Sequence, residues 1–234
     1  MTAFFLPETR STDIPAWADL TGEEPEQTTR NGSLVRSEGR FASGRLGLAT
    51  VAPGRADLVY GAVAPEITAL EDFAVPNVGA PRAAIEELNP AIGRFLRNRR
   101  DIVRLAVGAH LSWPTSSRDE SYSRVVQVIR TVAFNLTAAS DFIYQVNRPR
   151  RAQTLDGLEL NRLAKWSSIK NVIMLTDPNT TALSRSTERH SVLLEIDMST
   201  DANRSNALPE DRLLGLVQEL FILGEEIAAN GDVP

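Results

Sequence analysis

Cysteine is absent from the chain. That excludes disulfides, thiolate metal sites and a cysteine nucleophile, and it is compatible with a reducing cytoplasm. Lysine is nearly absent: Lys165 and Lys170 are the only two, so 23 of the 25 basic residues are arginine. Arginine in such excess reflects a GC-rich genome or bidentate contacts to anions. Histidine is limited to His110 and His190, neither with a partner at zinc-ligand spacing, so no metal site is expected. No run of residues approaches the roughly 18 apolar positions needed to cross a membrane. The N-terminal MTAFFLPETRSTDIP has no basic lead and no long apolar stretch, unlike a signal peptide. The expectation is a soluble, cytoplasmic protein that does not enter a membrane. Neither a G-x-S-x-G elbow nor a Walker A loop is present, and the glycine-rich patch from Gly39 to Gly54 lies within a hairpin pattern, where it cannot cradle a phosphate. No catalytic residue and no cofactor is assigned.

What is present is ordinary globular material: 234 residues, 42% hydrophobic and 24% charged, long enough to bury a core without staples. The net charge of -5 argues against a dedicated nucleic-acid coat protein. Charge is unevenly placed. Arg94, Arg97, Arg99, Arg100 and Arg104 face only Asp101 over residues 94–104, whereas from Glu195 onward nine acids face Arg204 and Arg212. Such opposed poles can meet within the fold or between subunits.

Residues 1–32 hold Pro7, Pro15 and Pro25, an acidic cluster and no usable period, and read as a partly extended arm whose apolar Phe4, Phe5, Ile14 and Trp17 dock on the body or on a neighbouring subunit. Residues 33–234 read as one α+β domain with possible halves at 33–135 and 136–234. Residues 45–63 form a hairpin pattern around Pro53-Gly54, a type II turn pair. A helical region over 65–98 is punctuated by proline, with starts at Pro65, Pro81 and Asn89-Pro90. Val103, Leu105, Val107, Ala109, Leu111 and Trp113 line one face of a strand that Pro114 ends. Ser117 and Glu120 form a capping box for a helix whose stripe is Tyr122, Val125, Val126, Ile129 and Val132. Two more strands follow, at 142–147 and from Leu158, then a third with His190, Val192, Leu194, Ile196 and Met198 on one face. The closing helix, about 209–229, carries more apolar residues than one face can hold. It must be covered on two sides, by its own sheet and by either the first half of the chain or a second subunit, and Leu216, Leu220, Ile222 and Leu223 are candidates for an oligomer interface. The fold class is α+β, antiparallel sheet covered by amphipathic helices, and the element order suggests a pseudo-duplicated strands-then-helix arrangement.

The most distinctive stretch is Asp141 to Leu175, read as two strands joined by a polar loop. It contains Asn147-Arg148, Arg150, Asn161-Arg162, Lys165 and Trp166, candidates for a ligand or interface site. Basic and aromatic residues together are what single-stranded nucleic-acid sites combine. The same groups also build hydrogen-bond networks between strands, or pair C-terminal acids across an interface. Among the carboxylate pairs, Glu195 and Asp197, at i and i+2 on one strand face, could bind a divalent cation for metal-dependent hydrolysis, but a third ligand with nuclease-like spacing to a lysine is missing.

RLAVGAHLSWP at 104–114, DFIYQVNRPR at 141–150, LNRLAKWSS at 160–168 and LLEIDM at 193–198 resemble a sporadically distributed family of uncharacterised bacterial proteins of about this length. With the hairpin near 45–63 the resemblance spans most of the chain, and it excludes the N-terminal arm. It implies a bacterial, single-module protein and no activity, and its scattered distribution is that of genes at mobile or phage-defence loci. The leading expectation is a non-enzymatic binding or assembly protein in a bacterial complex, partnered by a copy of itself or a protein of the same locus. The alternatives are a nucleotide or nucleic-acid binder using residues 144–170 and, third, a metal-dependent hydrolase.

Overall fold

Residues whose side chains alternate between apolar and polar pair into one large antiparallel sheet. The computed structural model describes residues 1–7, 14–51, 54–63, 76–133, 135–136, 139, 141–176 and 183–233, without the side chains of 173–176 and 183–185. Its strands are β1 (Thr2–Phe5), β2 (Gln27–Asn31), β3 (Leu34–Phe41), β4 (Gly44–Val51), β5 (Arg55–Gly61), β6 (Arg104–Thr115), β7 (Ile143–Asn147), β8 (Arg150–Arg151), β9 (Glu159–Thr176) and β10 (Leu183–Thr200). Their order is β2-β3-β4-β5-β1-β6-β10-β9-β7, with β8 also paired to β9. The helices are α1 (Trp17–Thr21), α2 (Pro81–Leu96), α3 (Arg118–Val128) and α4 (Leu213–Asn230), the last entered through a 3-10 turn, Glu210–Arg212. Both halves of the chain contribute strands to this single sheet. Among the described residues no helix is long and apolar enough to cross a membrane.

The segment expected as an arm enters the middle of the sheet. β1 lies between β5 and β6, with Phe4 opposite Ala56 on one side and Leu105 on the other. Phe4 is fully buried and stacks on Phe95 of α2 at 4.0 Å between ring centroids. Burying a phenylalanine side chain is worth about 2–3 kcal/mol, enough to hold so short a strand in place. Trp17 and Leu20 of α1 join the same core.

The 45–63 hairpin forms as β4 and β5, Leu48 opposite Leu58. Residues 52–53 of its turn lie outside the described residues, but Gly54 has φ 80°, and Leu6 donates its N–H to the Gly54 carbonyl at 2.7 Å. A Cβ on Gly54 would sit 2.3 Å from the Leu6 carbonyl oxygen. Gly54→Ala should therefore cost about 2 kcal/mol, from the left-handed φ and the forced separation of β1 from the turn. Gly32→Ala, at φ 57° but facing open space, should cost only about 1 kcal/mol. Urea unfolding of both variants checks the difference.

Proline misleads in two places. The helix expected in pieces over 65–98 is, within the described residues, one helix that starts at Pro81 and runs through Pro90; the Pro65 start lies outside them. Leu88, Ala91, Ile92, Phe95 and Leu96 bury one continuous stripe across Pro90, and that packing outweighs the lost hydrogen bond, about 3 kcal/mol. Likewise β6 continues past Trp113, with Pro114 opposite Ser191. β1 flanks β6 only over Arg104–Val107, so among the described residues no strand pairs with that side of β6 at Pro114, where a missing N–H costs little.

The capping box is offset by one residue. Ser117 Oγ accepts from the Glu120 N–H at 3.2 Å, but the Glu120 carboxylate takes the Ser116 N–H at 2.7 Å. α3 stops at Val128; Tyr122, Val125 and Ile129 are buried, whereas Val126, still within the helix, and Val132, beyond its end, are exposed.

α4 is the centre of the helical layer, and its width has an internal cause. It packs on β6, β9 and β10 and also against α2. Leu216 and Leu220 are fully buried and Leu223 nearly so, inside the chain's own core. The expected oligomer interface on this helix is thereby corrected: of its four residues only Ile222, 62% exposed, faces outward. The opposed charge poles meet within the fold at the surface pair Arg100 Nε to Glu210 Oε2, 2.7 Å apart. All four helices lie on the face of the sheet that carries Phe4, Leu48, Trp166 and Ile196; among the described residues no helix covers the other.

Candidate functional site

Asp141 to Leu175 does form two strands and a polar connection. β7 runs antiparallel to β9, with Tyr144 opposite Trp166 and Asn147 opposite Leu163. Where β7 ends, the Asn147 side chain prolongs the ladder. Its Nδ2 donates to Asn161 Oδ1 at 3.0 Å and its Oδ1 accepts the Arg162 N–H at 2.9 Å, while the Arg148 N–H reaches the Arg162 carbonyl at 3.2 Å. Pro149 then turns the chain into β8, whose Arg150 lies opposite Leu160. The loop beyond is tied to α4: Glu219 accepts the N–H groups of Gln153 and Thr154 at 2.7 and 3.0 Å.

The arginines close on acids from the end of the chain. α4 delivers Glu226, and Gly231 (φ 77°) turns the backbone after it. Asp232 then lies against α3's end, donating its N–H to the Val128 carbonyl at 3.1 Å. Arg148 grips Asp232 with both forks, Nε to Oδ1 at 2.6 Å and Nη2 to Oδ2 at 2.8 Å. Tyr144 donates to the same carboxylate at 2.8 Å, and so does Thr131. These hydrogen bonds, the Arg148 guanidinium first, hold the Asp232 carboxyl well below the usual carboxylate range despite its burial. Burial, followed by the hydrogen bond to Asp232, raises the Tyr144 phenol. Arg150 takes both oxygens of Glu226 at 2.8 and 3.1 Å. Arg162, fully buried, reaches Glu226 Oε2 through Nη2 at 3.3 Å. Burial pulls its guanidinium down, and the neighbouring Arg150 adds to that.

Lys165 and Trp166, adjacent in sequence, point to opposite faces. Trp166 is 2% exposed, in the core beside Tyr144 at 5.9 Å between centroids. Lys165 lies on the uncovered face, paired with Glu195, which His110 approaches at 3.8 Å. The expected basic and aromatic group is thus divided. Asn147, Arg148, Arg150, Asn161 and Arg162 form one lock between β7, β8, β9 and α4; Trp166 belongs to the core and Lys165 to the far surface. The side chains that sequence reasoning missed are Asp232, Glu226, Glu219 and Thr131. The acid-rich C-terminal third was the available signal, since it held the right partners for the arginines without saying which.

Glu195 and Asp197 share the uncovered face, but among the described residues no three His, Asp or Glu side chains converge as metal ligands. Comparison with protein-family models, curated proteins and solved structures finds no match.

Proposed function

We propose that this chain is a non-enzymatic binding and assembly protein of the bacterial cytoplasm, and that its contact surface is the uncovered face of the sheet. One observation supports the reading: the distinctive arginines and asparagines are engaged inside the fold, whereas among the described residues no helix lies over a broad strand surface. On that face Ile143, Ser167, Leu193 and Ser112 form one cross-strand row, and Gln145, Lys165, Glu195 and His110 the next. Ile143 is 67% exposed and Leu193 partly exposed. Apolar positions interleaved with paired charges match the make-up of protein–protein interfaces. Lys165 and Glu195, of opposite sign and side by side, suit a two-fold contact in which each meets its opposite on the other copy. The partner is therefore a second copy of this chain; a protein encoded beside it, at a mobile or phage-defence locus, is the other outcome to look for.

Nucleic-acid binding is the weaker reading because its stacking and contact groups are not available. Trp166 and Arg162 are buried, and Arg148 and Arg150 each hold a carboxylate with both forks.

Light scattering on the purified chain across a concentration series tests the proposal. A species heavier than 25.6 kDa should form, and Ile143→Asp should weaken it at least roughly tenfold by placing a charge in an apolar contact. The melting temperature should hardly move, since exposed substitutions cost within about 0.5 kcal/mol. A monomer at every concentration that also binds no product of a neighbouring gene would defeat the reading.

A further inference from the structure

The chain contains two Asn-Gly pairs, Asn31-Gly32 and Asn230-Gly231. In such a pair the glycine backbone nitrogen can attack the asparagine side-chain amide, since no Cβ crowds that nitrogen and the glycine backbone turns readily. The attack requires a glycine N–H free of a hydrogen bond, water at the amide, and room for the peptide plane to rotate.

The fold withholds these from one pair and supplies them to the other. Asn230 ends α4, and the Gly231 N–H donates to the Ile227 carbonyl at 2.9 Å. Gly231 is buried, seated so closely on Val128 that a Cβ there would collide with the Val128 carbonyl. Asn31 ends β2, the strand at one end of the sheet order, and pairs with Leu34 across a two-residue turn of Gly32 and Ser33. Gly32 has φ 57° and Ser33 no positive φ, the pattern of a type II′ turn. Such a turn is closed through the backbones of its flanking residues, here Asn31 and Leu34, which keeps the Gly32 N–H out of the strand ladder. Asn31, Gly32 and Ser33 are all exposed, and among the described residues nothing lies within 4 Å of a Cβ placed on Gly32. All five residues of β2 are exposed as well, so the hairpin end can open locally at little cost.

We infer that Asn31 is a site of spontaneous covalent modification, with water as the only co-reactant. The Gly32 nitrogen, having lost its proton to hydroxide, bonds to Asn31 Cγ. The Cγ–Nδ2 bond breaks, and the leaving nitrogen takes protons from water and departs as ammonia. Water then opens the five-membered imide. Cleavage between Cγ and the Gly32 nitrogen leaves aspartate; cleavage between the Asn31 carbonyl carbon and that nitrogen leaves isoaspartate. Either product sets a negative charge beside Arg30. Isoaspartate also routes the backbone through Cβ and Cγ, so the Asn31 and Leu34 pair that closes the hairpin loses its register. Neither Asn31 nor Gly32 belongs to the proposed contact rows.

The test holds the full chain in mildly alkaline buffer and maps its peptides by mass spectrometry over time. The peptide containing Asn31 should gain the mass of an amide-to-acid exchange, at a rate proportional to hydroxide, and should separate into two isomers. Asn230 should react at least about tenfold more slowly, because the end of α4 must first open. In guanidinium chloride, where the fold is lost, the two pairs should react at similar rates. Gly32→Ala, which is expected to fold, should slow the reaction at Asn31 at least about tenfold by placing a Cβ beside the attacking nitrogen. An Asn31 that stays intact in the folded chain while the unfolded chain reacts overturns the inference. So does an Asn230 that reacts as fast as Asn31 in the folded chain, or a Gly32→Ala chain that reacts at the wild-type rate.

Discussion

Asp232→Ala is expected to lower the stability of the chain by about 3 kcal/mol, the low end of the range for breaking a buried ion pair, because Arg148 is partly exposed and can rehydrate. That is a large part of the roughly 5–15 kcal/mol by which a domain of this kind is stable. The substitution removes the acceptor for both forks of Arg148, for Tyr144 and for Thr131 together, and so releases the end of the chain from α3 and β7. Asp232→Asn separates charge from shape through pH. The folded-state carboxyl is held below its unfolded value, which is about 3.9, so the folded state binds fewer protons across that interval. The contribution is complete above about pH 5 and is lost as pH falls through the unfolded value toward the folded one. Urea titrations of wild type and Asp232→Asn should differ most at pH 7, with the gap narrowing steadily from pH 5 to pH 2. A gap constant over that range would mean that the carboxylate charge is not what stabilises the lock.

Trp166→Ala is expected to cost about 4 kcal/mol, in the range for emptying a large aromatic site in a core, and to lower the unfolding midpoint by about 8–16 °C. The residue is buried on the helical face of β9, packed beside Tyr144 and bordering a small cavity at Arg162. Trp166→Phe keeps most of that packing and should be the milder change. It also separates two roles for the tryptophan. As a core residue, its replacement by phenylalanine leaves any weak association with single-stranded nucleic acid at low salt as it was. As a stacking platform, it would lose salt-dependent binding while remaining folded, and the nucleic-acid reading would return.

Strands with one face toward the helices were legible in the sequence, because burial on a single side imposes a period of two. Val103 to Trp113 and His190 to Met198 both show that pattern and both contribute strands, β6 and β10, which pair with each other, and His190 is half-buried at the end of its run. β1 showed nothing comparable. It is four residues long, and what makes it a strand is its two partners, around residues 56 and 105. Pro90 and Pro114 were read by their local penalties, which tertiary packing in one case and a free strand side in the other reduce to tolerable costs. The excess of apolar residues on α4 called for a cover from either the first half of the chain or a second subunit, and α2, from the first half, lies against it.

The site was legible as a set of donors and not as a set of pairs. Asn147 and Asn161 do face each other across β7 and β9, as their placement on neighbouring strands allows. Arg148 and Arg150 meet acids from the far end of the same chain, where pairing across an interface was also open. Which acid pairs with which arginine depends on the path of α4 and on the turn at Gly231, and nothing in local spacing encodes either.

The position of β1 also governs the order in which the sheet can be assembled. β5 and β6 do not pair with each other; each pairs with β1. In the chain β1 is followed by one neighbour only at Arg55–Gly61 and by the other only at Arg104. Pairing with β5 gives Phe4 one strand partner, Ala56, whereas Leu105 and the stacking surface of Phe95 lie much farther along. The two blocks of strands are thus joined through a four-residue strand whose second edge closes by contacts of long sequence separation, the kind that forms slowly in folding.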